Sequence, residues 1–516
     1  MEAHLLPPAV RLLLQAETYP HPVSEPVELI QTHISYVLLA GEFAYKIKKA
    51  VDFGFLDYST LELRRHFCYE ELRLNREVAP ELYLDVVPIV LEKGSLTLGG
   101  TGEAVEYAVK MRRFPQSCLL GALFAQAGLP LDLIVTLGHL VADFHAKAAT
   151  SDAIAKFGEI ARVRAAFEDN YRQSQPYIGT LQTLQQYKET QAFTDLFFDE
   201  RANLLRQRQQ NGFVRECHGD LHLGNICYWR DRLYLFDRIE FNEAFRYVDV
   251  MYDVAFTVMD LQARERPDLA NIFLNTYLEA SGDWAGAAVL PLYLCRQAYV
   301  RAKVNSLSWD SPTLSQPERE AAATAARRYY RLAWEYAQHS QATGQLFVMS
   351  GFSGSGKTTV ARELARQRGA IHIRSDAIRK HLGTVPLDAP GGSDLYTPEM
   401  TERTYEQLLS LGFDLARQGF SAILDAKFER RSWREAAVEG ARARGLPVRI
   451  FYCSAPLPVL QARLAQRTGD ISDATPELLA QQLAVAEGFG EIDKPFVTTI
   501  ATDRDWRKQL SALRLQ

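Results

Sequence analysis

The chain has 516 residues, 47% of them apolar and 23% charged, with a formal net charge of −5. That length exceeds one ordinary hydrophobic core and the composition is that of a folded chain, so two domains are expected and wholesale disorder is excluded. The negative balance argues against wrapping nucleic acid by bulk charge, and six cysteines without a Cys-x-x-Cys pair indicate neither a disulfide framework nor a zinc ribbon.

The opening stretch, MEAHLLPPAVRLLLQ, carries Glu2, a Pro-Pro break and Arg11, which do not make a signal peptide. No apolar run reaches the roughly 18 residues that span a bilayer. A reducing cytoplasm is therefore the expected compartment, without membrane insertion. From Val27 to Val51 the chain is rich in β-branched and aromatic residues, and Gly41-Glu42 marks the turn of a predicted hairpin. LELRRHFCYEELRLNREVA, from Leu61, has helical apolar spacing, and LYLDVVPIVLEKGSLTLGG returns to strands around a Gly-Ser turn. Mostly helical sequence follows EYAVKMRRFP as far as about Tyr336. The pattern predicts a small β lobe joined near Met111 to Pro115 to a larger α lobe.

Beyond EYAQHSQATGQ the style changes. LFVMS, AIHIRSD, SAILDA, VRIFYCSA and FVTTIAT are short apolar runs separated by helical segments, which predicts a mostly parallel sheet with helices on both faces. The expected domains are residues 1–340 and 341–516.

The first half concentrates its chemistry in CHGDLHLGNICYW and LYLFDRIEF. A kinase-type site needs a carboxylate beside the acceptor hydroxyl, an amide oxygen for Mg²⁺ and a second carboxylate bridging metal to phosphate. Asp220 fits the first role, Asn225 and Asp237 the metal roles, and His218 braces the loop. Clustered Cys217, His218, His222 and Cys227 are the competing zinc reading, but adjacent ligands suit structural zinc poorly. A degenerate, inactive kinase is the other alternative.

On these residues, HGDLHLGN followed by LFD, the chain resembles the aminoglycoside phosphotransferase family of the protein-kinase-like fold, over roughly residues 25–335. The resemblance implies an α+β bilobal fold and a strand lysine that contacts the ATP phosphates and pairs with a helix glutamate. FAYKIKK offers Lys46, with Lys48 on the same strand face. YEELRLN offers Glu71, with Glu70 beside it. No Gly-x-Gly-x-x-Gly loop precedes the lysine, so Thr32 and Ser35 are candidates to cover the phosphates. Asp249 and Asp253, in RYVDVMYDVAF, read as helix-start residues.

The second half carries GFSGSGKT after one apolar strand and before a helix, the setting of a P-loop. Gly351, Ser353, Gly354, Ser355 and Gly356 would curl backbone N–H groups around phosphate. Lys357 would reach the β/γ oxygens, Thr358 would ligate Mg²⁺, and Thr359 continues the helix start. Asp376 and Arg379 in SDAIR stand one helical turn apart, suited to an acceptor pocket. Asp425 ends a strand where it would hold Mg²⁺ or its bound water. Arg463 and Arg467 would close as a lid over the phosphates, against the plain alternative of a solvated helix face. P-loop, SDxxR, strand-end Asp and arginines together resemble small P-loop kinases, a group that includes polynucleotide 5′-hydroxyl kinases, zeta-toxin-like kinases and antibiotic kinases. DAKF puts Lys427 where such relatives often carry a small hydroxyl residue.

The sequence thus implies an ATP- and Mg²⁺-dependent kinase whose halves each phosphorylate a hydroxyl-bearing small molecule. Polynucleotide 5′-hydroxyl kinase activity of the second half, and a nucleotide-gated regulator with little turnover, are the alternatives. Acceptor and oligomeric state are not encoded in any motif.

Overall fold

The computed structural model describes residues 6–312, 314–339, 343–466, 471–472 and 476–513. They form two compact units. The first comprises residues 1–130, 147–163 and 205–257, and the second comprises 131–146, 164–204 and 258–516. Among the described residues no helix is long and apolar enough to cross a membrane.

The first unit is built on an antiparallel sheet of β1 (Glu28–Gln31), β2 (Ser35–Ala40), β3 (Phe43–Lys48), β4 (Tyr83–Glu92), β5 (Ser95–Leu98) and β6 (Glu103–Arg112), in the order β1-β2-β3-β6-β4-β5. The hairpin turn at Gly41-Glu42 is present, with Gly41 at φ +56 where a Cβ would lie 2.6 Å from Pro22 O. The predicted pair of strands before Val51 is in fact three. Thr32 Oγ1 accepts from the backbone N–H of Ile34 and Ser35, and this short side-chain-closed turn breaks the run into β1 and β2.

Alternation along the strands sends Tyr45, Ile47, Leu38 and Ile89 into a core with Val10 and Leu13. Tyr83, Val86 and Val109 face the other way, packing with Cys68 and Leu72 of α1 (Leu61–Val78) and with the hairpin β8–β9 (Ile226–Trp229, Arg232–Leu235). Thr60 caps α1 by accepting from Leu63 N–H at 3.2 Å. The strands β7 (Val214–Glu216) and β10 (Tyr247–Asp249) pair and lead into α2 (Val250–Ala263).

The second unit combines helices, including α3 (Pro267–Ser281), Leu290–Asp310 and Gln316–His339, with a five-stranded parallel sheet. Its strands β11 (Leu346–Ser350), β12 (Ile371–Arg374), β13 (Ala422–Asp425), β14 (Val448–Ser454) and β15 (Val497–Ala501) run in the order β12-β13-β11-β14-β15. Every residue of β11, β12 and β13 is buried, which explains why their text is mostly apolar, broken only by Ser350, His372, Arg374 and Asp425. Of the helices around them, α4 (Lys357–Arg368), α5 (Ser375–Leu382), α6 (Pro398–Arg417), α7 (Leu457–Ala465) and α8 (Pro476–Val485) bear on the site. The core joins Phe347 and Met349 to Val360, Leu364, Phe451 and Ile500.

Candidate active sites

In the first unit the decisive strand is β3. Its central place in the sheet and its two-residue period put Lys46 and Lys48 on one face, toward α1. Lys46 Nζ donates to Glu71 Oε1 at 2.8 Å and to Asp237 Oδ1 at 2.7 Å. Lys48 Nζ donates to Glu71 Oε2 at 2.7 Å and to Glu240, which also accepts from the Tyr58 hydroxyl. An unpaired buried carboxylate would cost several kcal/mol. Burial alone would raise the Glu71 pKa, but Lys46 and Lys48 outweigh it and bring it down to about 2.

Asp237 has φ +63, a left-handed conformation that a non-glycine residue adopts only when its surroundings fix it. They do so on both sides. Its own N–H donates to Tyr83 Oη at 3.1 Å, and the next N–H, of Arg238, donates to Asn75 Oδ1 at 2.9 Å. The Arg238 guanidinium is buried and donates to the carbonyls of Leu74 and Glu216, pinning the segment to α1 and β7.

The loop from His218 to Asn225 is held just as closely. Asp253, in the first turn of α2, accepts from the N–H groups of His218 at 2.6 Å and Gly219 at 2.8 Å. Gly219, at φ +85, passes so near Phe245 that a Cβ would lie 2.6 Å from its carbonyl oxygen. His218 Nδ1 accepts from Asp220 N–H, so Nε2 carries the ring proton and donates to Phe236 O at 2.9 Å. Burial lowers the His218 pKa and favours this neutral tautomer. Asn225 Nδ2 donates to the Asp220 carbonyl and to its Oδ2, both at 3.0 Å, which leaves Oδ1 as its ligand atom. Lys46, Asp220, Asp237 and Glu240 line one cavity of about 520 Å³, together with apolar Val37, Leu39, Ala44, Leu82 and Met111. Thr32 and Ser35 line it too, and Ser35 Oγ is buried with no hydrogen-bond partner among the described residues.

The site of the second unit is made mainly of backbone. After β11, Gly351 takes φ +137 and lies so close to β14 that a Cβ would meet Cys453 O at 2.4 Å. Gly354 and Gly356 carry the turn into α4, which begins at Lys357 and continues through Thr358 and Thr359. Lys357 Nζ folds back to donate to Phe352 O at 2.9 Å, and burial lowers its pKa. Ser353 is engaged twice by Gln482 of α8: its N–H donates to Gln482 Oε1 at 3.1 Å and its Oγ accepts from Nε2 at 3.0 Å. Ser355 Oγ is buried and has no partner among the described residues.

Two carboxylates there are driven in opposite directions. Burial raises the pKa of Asp376, at the start of α5, despite the nearby Arg374. Burial also acts on Asp425, but His372 Nε2 at 3.0 Å, then Arg374 and Lys357, bring it well below the usual carboxylate range. Such a split suits one group to proton transfer and the other to binding a cation.

Residues 70–290 match the family model described as a phosphotransferase enzyme family, and residues 346–489 match one described as an AAA domain. The uncharacterized protein Rv2004c of Mycobacterium tuberculosis is 32% identical over 467 residues, covering 89% of this chain and 90% of its own. The chain belongs to the same family as that protein. A gluconokinase of Gluconobacter oxydans is 30% identical over 157 residues, 30% of this chain and 80% of its own. Among solved structures, a putative aminoglycoside phosphotransferase of Ralstonia eutropha is 13% identical, with a TM-score of 0.37 over 62% of this chain and 94% of its own. The two family matches fit a kinase-like α+β domain followed by a parallel-sheet P-loop domain, and domains of these kinds support a phosphotransferase.

Of the residues expected from the sequence, Lys46, Glu71, Asp220, His218, Asn225 and Asp237 are brought together. Glu70 pairs instead with Arg73. Asp249 stands immediately before α2 and accepts from Met251 N–H at 2.9 Å, as expected of a helix-start residue, and Asp253 lies in the first turn, where its carboxylate holds the loop from His218 to Asn225. Asp249 pairs with Arg208 at 2.6 Å.

In the second unit two expected positions differ. Arg379 is buried and spends Nη1 on Leu395 O and Thr401 Oγ1, tying down the segment after α5 rather than presenting a free head beside Asp376. Arg463 donates to Gly354 O and to Thr502, so it braces the loop from behind rather than covering it as a lid. Both differences have one cause: α-helical spacing gives the face of a residue but not which carbonyls will capture its guanidinium. Arg467 lies outside the described residues.

Sequence reasoning missed Glu240, Tyr83, His372 and Gln482. Only His372 left a signal, as a polar residue between the two isoleucines of the strand IHIR.

The donors at both sites are oxygens of carboxylate, amide and hydroxyl groups, which suits a hard cation such as Mg²⁺. In the first unit Asn225 Oδ1 and Asp237 would hold it, and in the second Thr358 and Asp425.

Proposed function

We propose that the protein is a bifunctional ATP-dependent kinase in which each site transfers the γ-phosphate of ATP to a hydroxyl group of a small molecule. The observation that carries this reading is the lysine–carboxylate network of Lys46, Glu71 and Asp237: Lys46 and Asp237 line one cavity with Asp220, which in turn accepts from Asn225. The P-loop site supports a second activity by the same logic. The functional division falls at residues 1–340 and 341–516, and the setting is the cytoplasm.

In the N-terminal site Lys46 binds the α/β phosphates while Glu71 fixes its head. Asp220 Oδ accepts the proton of the acceptor hydroxyl as its oxygen attacks the γ-phosphorus and the bond to the β-phosphate oxygen breaks. His218 and Asp253 keep that loop in place. Mg²⁺, when bound, neutralises charge on the phosphate oxygens. In the C-terminal site Lys357 and the loop N–H groups bind the phosphates. Asp376, with its raised pKa, takes the hydroxyl proton, and Asp425 stays ionised beside the metal position. Positioning and charge neutralisation supply most of the rate in both.

The gluconokinase likeness favours a polyol or sugar acid as acceptor for the second site over a polynucleotide end. So does the fate of two cations that a strand end would need, since Arg379 and Lys380 are buried and bonded to backbone carbonyls.

The test is ADP release by wild type, Asp220→Ala and Lys357→Ala over sugars, sugar acids, amino-sugars, nucleosides and 5′-hydroxyl oligonucleotides, with product mass for each hit. Each substitution should remove one acceptor's turnover by about 10²–10⁴-fold and spare the other's. Turnover that no acceptor stimulates would favour a nucleotide-gated regulator instead.

A further inference from the structure

In the second unit β12 is an edge strand, bonded on one side to β13 through pairs such as Ile371 N–H to Ser421 O at 2.8 Å. Its other side would expose unpaired N–H and C=O groups, a feature proteins usually cover. Here side chains from α3 and the turn after it do so. Asn275 Nδ2 donates to Ala370 O at 3.0 Å, and Asn275 Oδ1 accepts from His372 N–H at 2.7 Å, so one amide imitates the donor and acceptor of a neighbouring strand. Asn271 Nδ2 gives a second bond to Ala370 O at 3.0 Å, and Trp284 Nε1 donates to His372 O at 3.2 Å.

The clasp extends past the strand. Glu279 Oε1 stands 3.6 Å from Arg374 Nη1, and its main-chain carbonyl accepts from His381 Nε2 of α5 at 2.8 Å. The His381 ring packs edge-on against Trp284 with centroids 5.7 Å apart. It also lies over Gly282, where a Cβ would come within 3.0 Å of the ring.

What the clasp grips is chemically significant. Its two main-chain bonds to residue 372 fix the residue whose ring holds Asp425 Oδ2 at 3.0 Å. Two residues on, Arg374 is opposite Asp425 in the strand register and acts on Asp376. All the gripping residues precede the P-loop by some distance in sequence, and Asn271, Asn275 and Glu279 recur every fourth residue on one face of α3.

We propose that Asn275 and Trp284 are positioning residues for the P-loop site: they set β12 so that His372 holds Asp425 in the orientation in which it receives Mg²⁺ bound with ATP. The proposal rests on the P-loop site binding Mg²⁺·ATP as described above. It makes that site depend on a helix from the half of the chain that matches the phosphotransferase family.

The experiment uses the full chain with its first site silenced by Lys46→Met. Binding of a fluorescent ATP analogue is measured with and without Mg²⁺. Lys357→Ala in this background should abolish binding, and unchanged binding there would overturn the P-loop reading itself. With binding established, Asn275→Leu should leave the metal-free affinity within about 2-fold but cut the Mg²⁺ enhancement about 10-fold. Trp284→Phe keeps an aromatic, though smaller, ring and removes the Nε1 donor, so it should cut the enhancement about 3-fold. His372→Gln should reproduce the Asn275→Leu loss, and the double variant should add little to either. A general loosening of the fold would instead weaken metal-free binding equally. If Asn275→Leu fails to fold, Trp284→Phe and His372→Gln decide. An undiminished Mg²⁺ enhancement in the folded variants, or an equal loss without metal, overturns the positioning role.

Discussion

In the proposed function the two candidate sites solve one problem, holding polyphosphate and metal near a carboxylate, with different materials. The first is a web of charged side chains drawn from distant parts of the chain: Lys46 meets a glutamate 25 residues away and an aspartate 191 residues away. The second is a local backbone turn, Gly351 to Thr358, whose lysine makes a hydrogen bond to the carbonyl of Phe352 within the same turn. A side-chain web ties function to stability, because each buried charge needs its partners whether or not a ligand is bound. A backbone cradle separates them, because its shape comes from the strand and helix that flank it.

The sharpest way to break this comparison is to remove one charge from each site. Glu71→Ala leaves Lys46 with one carboxylate and Lys48 with one, both in buried surroundings, and should cost about 3–5 kcal/mol in urea denaturation. Lys357→Ala should cost less than about 1 kcal/mol, since it deletes one hydrogen bond to a carbonyl and relieves a buried ammonium. Equal losses from the two substitutions would show that the web carries no special burden.

The same contrast should appear with pH. Glu71 has a folded-state pKa of about 2 against an unfolded value of about 4.3, so its pairing contributes stability fully above about pH 5 and loses it as pH falls toward 2. Urea midpoints measured from pH 6 down to pH 3 should therefore fall more steeply for wild type than for Glu71→Gln, whose uncharged amide cannot titrate. Asp376 works in the opposite sense. Its pKa is raised in the fold, so the group destabilises above its unfolded pKa and favours folding by taking up a proton as pH falls. Asp376→Asn should accordingly raise stability at pH 7 and should lose that advantage as pH falls through the carboxylate range.

These materials also explain what could be read in advance. The P-loop was legible because its glycines, lysine and threonine are neighbours in sequence and their roles follow from one turn. The segment from His218 to Asn225 was legible for the same reason, as was Asp237 at the end of an apolar run. Lys46 and Glu71 could be named only through a family likeness, with Lys48 and Glu70 standing beside them, because nothing in the spacing says which ammonium reaches which carboxylate. The structure resolves the pair of glutamates cleanly: Glu71 points inward to both lysines, and Glu70 joins Arg73. Arg379 and Arg463 misled for the complementary reason. A guanidinium is drawn to whatever carbonyls tertiary packing puts within reach, and a helical period does not contain that information. The helical lobe's grip on β12 left no local trace at all, since each of its bonds joins residues far apart in the chain.

The smallest test concerns single hydroxyl groups. Tyr83→Phe keeps a buried ring in the first unit and removes the oxygen that accepts Asp237 N–H, so it should cost about 0.5–1.5 kcal/mol and slow the Asp220-dependent turnover a few-fold. Ser355→Ala is its counterpart in the P-loop. Its hydroxyl is buried with no partner among the described residues, so without nucleotide its removal should be neutral or stabilising by up to about 1 kcal/mol. With ATP the sign should reverse, the variant gaining less thermal stabilisation than wild type at the same nucleotide concentration. A hydroxyl that is a burden in the empty site and an asset in the filled one is what a cradle shaped for its ligand contains. A hydroxyl that supports the fold in both states belongs to a web. Thermal melts of the two variants with and without Mg²⁺·ATP separate these cases, and a Ser355→Ala variant destabilised in both states would place the P-loop with the web.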